Sequence, residues 1–429
     1  MSSINRREFM NRSAKTLAAG AAMASVARAG ASANEQLNVA VIGVRGRGKG
    51  LISDFLGNKA IHVAAVCDVD DAVIPSALEA AKKAGQEKTP KVVKDLRQLL
   101  DDKDVDALVI AAPDHWHAPA TIWGCQAGKD VYCEKPVSHN LVEGRLMVDA
   151  ARKYNRVVQV GTQRRSSEAM LAMVDYLQSG RIGKIAYVRT WINSTRPNIG
   201  HAVDGPTPAG VDYDLWLGAA PKREFNKNRF HYTWHWFWDY GTGECGNNGI
   251  HALDLAQWGI GNRRPIRVSC GGGKHTFDDD QETPDTQLVT LDYPDLTLTW
   301  EHRTWSKTTI AGQGFGVAFY GTNGTLITDG GGWRVVDGES EDTHKDTPYM
   351  AAHVQDFVDC VKSREKPNAD IEIGHRSTSL CHLGNIAYRT QATLVFDADD
   401  EEFIGPRADE GNRLLWRSYR KPFELTKTV

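Results

Sequence analysis

The sequence predicts an α/β unit with a doubly wound parallel sheet, followed by an α+β unit rich in short strands. Three observations predict it. A β-rich run, Leu37-Asn38-Val39-Ala40-Val41-Ile42, ends in the glycine-rich turn Gly43-Val44-Arg45-Gly46-Arg47-Gly48. Apolar strands then alternate with helical stretches as far as residue 160. Beyond it, short alternating or apolar β-rich runs take over, from Ile185 to about Ile327. A chain of 429 residues has room for two cores.

The N-terminal 33 residues read as an export signal. Asn5-Arg6-Arg7-Glu8-Phe9-Met10-Asn11 resembles a twin-arginine signal, a weakly apolar stretch runs from Leu17 to Ala27, and Ala31-Ser32-Ala33 or Ala27-Arg28-Ala29 supplies a cleavage site. The expectation is an exported, periplasmic protein that folds before it leaves. No other segment reaches 18 apolar residues, so no membrane insertion of the mature form is expected. The net charge of −3 provides no basic field for nucleic acid or anionic lipid. The 7 cysteines form no C-x-x-C pair, which argues against a disulfide scaffold or zinc knuckle.

The first unit is expected over residues 36–160. A strand running into a glycine-rich turn and then a helix is the phosphate-binding start of a Rossmann unit. Gly43, Gly46 and Gly48 let the backbone approach a pyrophosphate, and the helix after them presents free N–H groups, with Arg47 at hand. Arg45 stands where the common pattern has glycine, so the turn is a variant. A helix is predicted from Lys49 to about Gly57. Ile61 to Cys67 reads as the second strand, closed by Asp68, whose carboxylate suits ribose hydroxyls and repels a 2′-phosphate. That favours NAD and leaves NADP as the alternative, because Arg45, Arg47 and Lys49 lie close. A helix over Asp95–Leu100, a buried strand over Val105–Ala112 and a strand at Val131-Tyr132-Cys133 continue the alternation. The last leads into Glu134-Lys135-Pro136.

Glu134-Lys135-Pro136 after a strand resembles the signature of the glucose–fructose oxidoreductase / inositol dehydrogenase (Gfo/Idh/MocA) family. So do Pro113 followed by His117, the run Val158 to Arg165, Gly249-x-His251-x-x-Asp254 and the turn Phe319 to Gly324. The resemblance covers about residues 37–395. It implies a second domain with a large, mostly antiparallel sheet open on one face. The β-rich stretches Ile185–Ile192, Ile266–Thr276, Thr286–Tyr293, Thr297–Thr304 and Gly316–Tyr320 agree, with Asn323-Gly324 as a hairpin turn. This unit is expected over residues 161–345. C-terminal helices and a tail that pack back on the core are expected over residues 346–429, helical near His353–Lys362 and Ser377–Arg389.

The resemblance also implies roles. Pro113, His117 and Glu134 would contact the cofactor with the glycine turn and Asp68. Lys135 would lie beside the nicotinamide, hold the reacting hydroxyl and stabilise developing alkoxide. His251 would be the second acid–base group, with Asp254 to orient it or to cap a turn. Relatives carry aspartate where this chain has Asn247, and an amide cannot accept a proton at neutral pH. Arg164 and Arg165 are candidates for the substrate cleft. The aromatic run Arg229 to Tyr240, with Trp236, reads as a loop contacting a carbohydrate or a neighbouring subunit. His115/His117 and His231/His235 lack a Cys or Glu at ligand spacing, so no metal is expected.

The expected substrate is a sugar, glycoside or polyol, and the expected assembly a homodimer or homotetramer. Free cofactor is scarce outside the cytoplasm, which points to a cofactor retained through a closed redox cycle. Two alternatives stand beside it. One is glycoside cleavage through transient C3 oxidation and elimination. The other is a carbohydrate-binding relative without turnover.

Overall fold

The computed structural model describes residues 36–337, 348–426 and 428–429. The export-signal segment lies outside the described residues. Six strands form the first sheet: β1 (Leu37–Ile42), β2 (Ile61–Cys67), β3 (Lys91–Val93), β4 (Ala107–Ile110), β5 (Asp130–Cys133) and β6 (Val158–Val160). Their order is β3-β2-β1-β4-β5-β6, and the pairs β2–β3, β1–β4, β4–β5 and β5–β6 run parallel. Strands buried on both faces need no polar alternation, so β4 and β5 are buried throughout. The order reverses between β1 and β4, which places a crevice at their carboxyl ends.

The helix after β1 begins at Arg47, earlier than the sequence suggested, and ends at Leu56. Gly48, Leu51, Ile52 and Phe55 are its buried face. Gly48 sits where a Cβ would meet the Gly43 carbonyl oxygen at 1.7 Å, so only glycine lets helix and strand touch there. β4 is shorter than the predicted Val105–Ala112, and beyond its end the Ala112 carbonyl lies 2.9 Å from His117 Nε2.

The second sheet has nine strands: β7 (Ile185–Asn193), β8 (Arg267–Gly273), β9 (Thr286–Asp292), β10 (Thr297–Arg303), β11 (Phe315–Gly321), β12 (Thr325–Thr328), β13 (Trp333–Asp337), β14 (Leu394–Asp397) and β15 (Glu402–Ile404). Their order is β13-β12-β11-β7-β10-β9-β8-β14-β15. Only the β7–β10 pair is parallel. β10 shows why the sheet has one wet face: Leu298, Trp300 and His302 are buried, and the residues between them are half-buried. The helices Glu168–Gln178, Ile250–Gly259 and Ile371–Thr390 lie over the dry face. The C-terminal region was expected to supply helices and a tail. It also adds β14 and β15 to the sheet, by pairing Leu394 with Val268. No helix among the described residues is long and apolar enough to cross a membrane.

A long excursion between β7 and the helix Ile250–Gly259 returns to the first sheet. Asp212 N donates to the Val69 carbonyl at 2.9 Å, Asp71 N to the Gly210 carbonyl at 3.2 Å, and His231 Nε2 lies 3.1 Å from Asp70. This strap walls one side of the crevice.

Candidate active site

A cavity of about 460 Å³ runs from the carboxyl ends of the first sheet to the helix Ile250–Gly259. One end is the glycine turn. Gly43 has φ +78°, and a Cβ there would meet Ala112 N at 2.7 Å. Gly46 precedes the helix, and nothing lies within 4 Å of where its Cβ would be, so the backbone is open to a ligand. The N-terminus of that helix has no side-chain cap, leaving its N–H groups for an anion. Asp68 ends β2 and accepts from Val44 N at 2.8 Å and Asp70 N at 3.1 Å. Burial raises its carboxyl, and the backbone donors oppose that. Each oxygen keeps an acceptor position, as a ribose diol requires. The glycine cradle, uncapped helix and acid at the end of β2 fit a dinucleotide.

Pro113, Glu134 and Arg47 also line the cavity. Glu134 is buried and takes Arg47 Nε at 2.7 Å, while Arg47 reaches Asp54 at 3.1 Å. His117 lies on the wall, yet its Nδ1 faces the Pro136 carbonyl at 2.7 Å and its Nε2 the Ala112 carbonyl. Both nitrogens are turned to backbone, so His117 braces the turn beyond Lys135 and shows a ligand only its carbon edge. Gly48 is absent from the wall; its role is the helix–strand contact.

The other end holds Lys135, Asn247 and His251 together. Lys135 Nζ donates to the Asn247 carbonyl at 2.8 Å and its side-chain oxygen at 3.3 Å. Burial lowers the Lys135 pKa, and Glu134, Asp114 and Glu244 act against that. Asn247 Nδ2 is buried without a partner among the described residues. Asn247 sits in a π-helical turn, Cys245–Gly249, that opens the helix Ile250–Gly259. Burial, with Lys135, Arg164 and Arg47 nearby, holds His251 far below the ordinary imidazole value. It is a neutral ring.

Four sequence candidates for substrate contact lie away from the cavity wall. Arg165 and Asp254 are each 2% exposed and pair with one another, Nε to Oδ1 at 2.9 Å. Ser377 Oγ also donates to Asp254 at 2.6 Å. Both carboxylate oxygens of Asp254 are thus engaged by Arg165, and one of them also by Ser377. Arg164 lies over the Phe315 ring at 4.5 Å, outside the wall. Trp236 is 4% exposed and packs with Trp216, Phe230, Phe237 and Tyr240. The aromatic run is mainly a core of the strap; its neighbours Trp234 and His235 reach the cavity instead.

Sequence reasoning also passed over Asp114 and Gln163, both on the wall. Asp114 is fully buried and accepts from Thr242 Oγ1 at 2.8 Å; burial pushes its carboxyl up to about 7. Gln163 Oε1 is buried without a hydrogen-bond partner among the described residues. Their signal was position, immediately after Pro113 and before Arg164 in segments already noted.

Comparison with known proteins agrees with this geometry. Residues 37–162 match "Oxidoreductase family, NAD-binding Rossmann fold", and residues 190–425 match "Oxidoreductase family, C-terminal alpha/beta domain". The class is that of the oxidoreductase-family models, the first of them described as NAD-binding. The chain belongs to the Gfo/Idh/MocA family. It is 35% identical over 127 residues to levoglucosan dehydrogenase of Pseudarthrobacter phenanthrenivorans, covering 28% of this chain and 31% of that protein. It is 30% identical over 201 residues to inositol 2-dehydrogenase 2 of Saccharopolyspora erythraea, covering 47% and 46%. The chain thus spans less than half the length of these curated relatives. A solved levoglucosan dehydrogenase in complex with NADH and levoglucosan superposes with TM-score 0.66 at 17% identity, over 84% of this chain and 99% of that one. Aldose-aldose oxidoreductase from Caulobacter crescentus, complexed with glycerol, gives 0.65 at 18%, over 84% and 100%. At these identities the likeness is one of fold.

Proposed function

We propose that the protein oxidises a hydroxyl of a sugar, glycoside or polyol and keeps its NAD bound. The observation that carries this is the grip of Asn247 on the Lys135 ammonium, at the far end of a cavity that begins at the glycine turn. Bound NAD supplies the two-electron acceptor. Gly43, Gly46 and the helix N-terminus would hold its pyrophosphate, and Asp68 its adenosine ribose.

The chain's own residues handle the oxygen and its proton. Lys135 donates to the substrate oxygen and stabilises negative charge as it develops. Asn247 fixes where the ammonium sits and offers its unpaired Nδ2 to a neighbouring hydroxyl. Proton removal falls to a neutral imidazole of the pocket, His251 being the one the family pattern implies. The strap, joined to the first sheet at Asp70, Asp71 and Val69, supports retention of the cofactor. Retention accords with export through the twin-arginine route to the periplasm and with a closed redox cycle, both part of this proposal, as is assembly into a homodimer or homotetramer.

The test is to denature purified protein and assay the supernatant for nicotinamide cofactor. Near-stoichiometric NAD supports the reading. An empty protein that also fails to bind added NAD overturns it. In turnover with sugars, a keto-sugar product supports oxidation, and free aglycone without a keto-sugar replaces it with glycoside cleavage. Lys135→Ala is expected to lower kcat/KM by roughly 10³-fold while the melting temperature holds.

A further inference from the structure

Arg47 opens the helix after β1, beside the glycine turn, where an arginine is expected to serve a phosphate. Its guanidinium is turned to protein groups instead. Nε donates to Glu134 Oε1 at 2.7 Å, Nη1 to Asp54 Oδ2 at 3.1 Å and Nη2 to the Met350 sulfur at 3.6 Å. Asp54 lies on the same helix, Met350 on the C-terminal helix Tyr349–Ser363, and Glu134 directly after β5. Burial acts to lower the Arg47 pKa; Glu134, Tyr132 and Asp54 together outweigh it, and the guanidinium stays charged.

Glu134 carries this grip to the lysine. Its side chain is 6% exposed, so the carboxylate needs a cation beside it. One oxygen takes Arg47, and the other, Oε2, accepts from the main-chain N–H of Lys135 at 3.2 Å. Gly161 closes one side of the carboxyl group, since a Cβ there would meet its carbon at 2.8 Å. Arg47, the Glu134 carboxylate and the Lys135 peptide are thus linked in series. At the far end of the lysine, Asn247 holds the ammonium at 2.8 Å.

We propose that Arg47 is a positioning residue: its guanidinium fixes the Glu134 carboxylate, and that carboxylate sets the peptide from which Lys135 reaches the substrate oxygen. Arg47 therefore serves the lysine and not the cofactor phosphates, which fall to the glycine turn and the free N–H groups of the helix.

The effect on turnover rests on the polyol reading above, and the tests fail separately from it. In Arg47→Met, NAD affinity by calorimetry is expected to stay within about threefold, while kcat with levoglucosan or myo-inositol at saturating NAD falls by about 10²-fold. Arg47→Lys keeps a charge beside Glu134 but not the planar fork, and should recover part of that loss at the same NAD affinity. Arg47→Met combined with Glu134→Gln should lower kcat no further than either change alone, because both break one link. Full kcat in Arg47→Met, additive losses in the pair, or an NAD affinity at least about tenfold weaker with kcat unchanged would each overturn the assignment, the last by making Arg47 a phosphate ligand. A crystal structure of Arg47→Met, or of Arg47→Lys if the first does not fold, needs no turnover. Lys135 Nζ is expected beyond about 3.5 Å from the Asn247 carbonyl, out of hydrogen-bond reach. An ammonium still held at 2.8 Å overturns the assignment whatever the substrate. If the unaltered protein turns over neither probe, the polyol reading falls, and the crystal structure alone decides for or against Arg47.

Discussion

Replacing Asp254 by asparagine separates a structural role from a substrate-binding one. The carboxylate is 2% exposed and accepts from Arg165 Nε at 2.9 and 3.0 Å, Arg165 Nη2 at 2.8 Å and Ser377 Oγ at 2.6 Å. Asparagine keeps the shape but leaves the Arg165 guanidinium as an uncompensated buried charge. Breaking such a pair from one side costs about 3–5 kcal/mol. At roughly 2 °C per kcal/mol for a large domain, the melting temperature should fall by about 6–10 °C. The assay is thermal unfolding followed by circular dichroism, with binding of NAD and of a polyol measured well below the transition. Both affinities should stay within about twofold, because neither residue lines the cavity. The double change Arg165→Met with Asp254→Leu should recover more than half of the loss, since no charge is then stranded. A melting temperature lowered by less than about 2 °C, or a tenfold loss of polyol affinity at unchanged stability, would refute the reasoning and return both residues to the substrate site.

Other consequences are equally open to measurement. Gly48→Ala drives a Cβ to 1.7 Å from the Gly43 carbonyl oxygen, so the helix must back away; NAD affinity by calorimetry should fall at least about tenfold. Trp236→Ala should cost about 3–5 kcal/mol in urea unfolding by emptying the strap core, whereas Trp234→Ala, at the half-buried edge of that core, should cost far less. Burial alone would raise the Glu372 carboxyl, yet Arg145 and Arg376 hold it down to about 2. A depressed carboxylate stabilises the fold above its ordinary pKa, and that contribution disappears as pH falls toward 2. Glu372→Gln should therefore lose about 1–2 kcal/mol at pH 7 after allowance for solvent screening, with the difference from the unaltered protein vanishing by about pH 2.

Much of the first domain was legible because its signals are local. β1, the glycine turn, the helix behind it and Asp68 at the end of β2 follow one another within a short stretch of chain. Each has a conformational demand that the residue type announces, such as the positive φ of Gly43. Lys135 could be placed because Glu134-Lys135-Pro136, just after a buried strand, resembles the family signature. The strands β14 and β15, at one end of the sheet, escaped notice because they span only Leu394–Asp397 and Glu402–Ile404.

The sequence by itself determined the class: the alternation of elements, the cofactor cradle, and the lysine and histidines available for chemistry. Only the tertiary structure decided which of them meet. Arg165 and Asp254 stand 89 positions apart, and Lys135 and Asn247 stand 112 apart. Helical periodicity says which face of a helix is buried but not which side chain lies opposite, for that depends on how helices and sheets dock. The docking turned Asp254 toward an arginine, put Trp236 in a core, and brought His235 to the cavity wall.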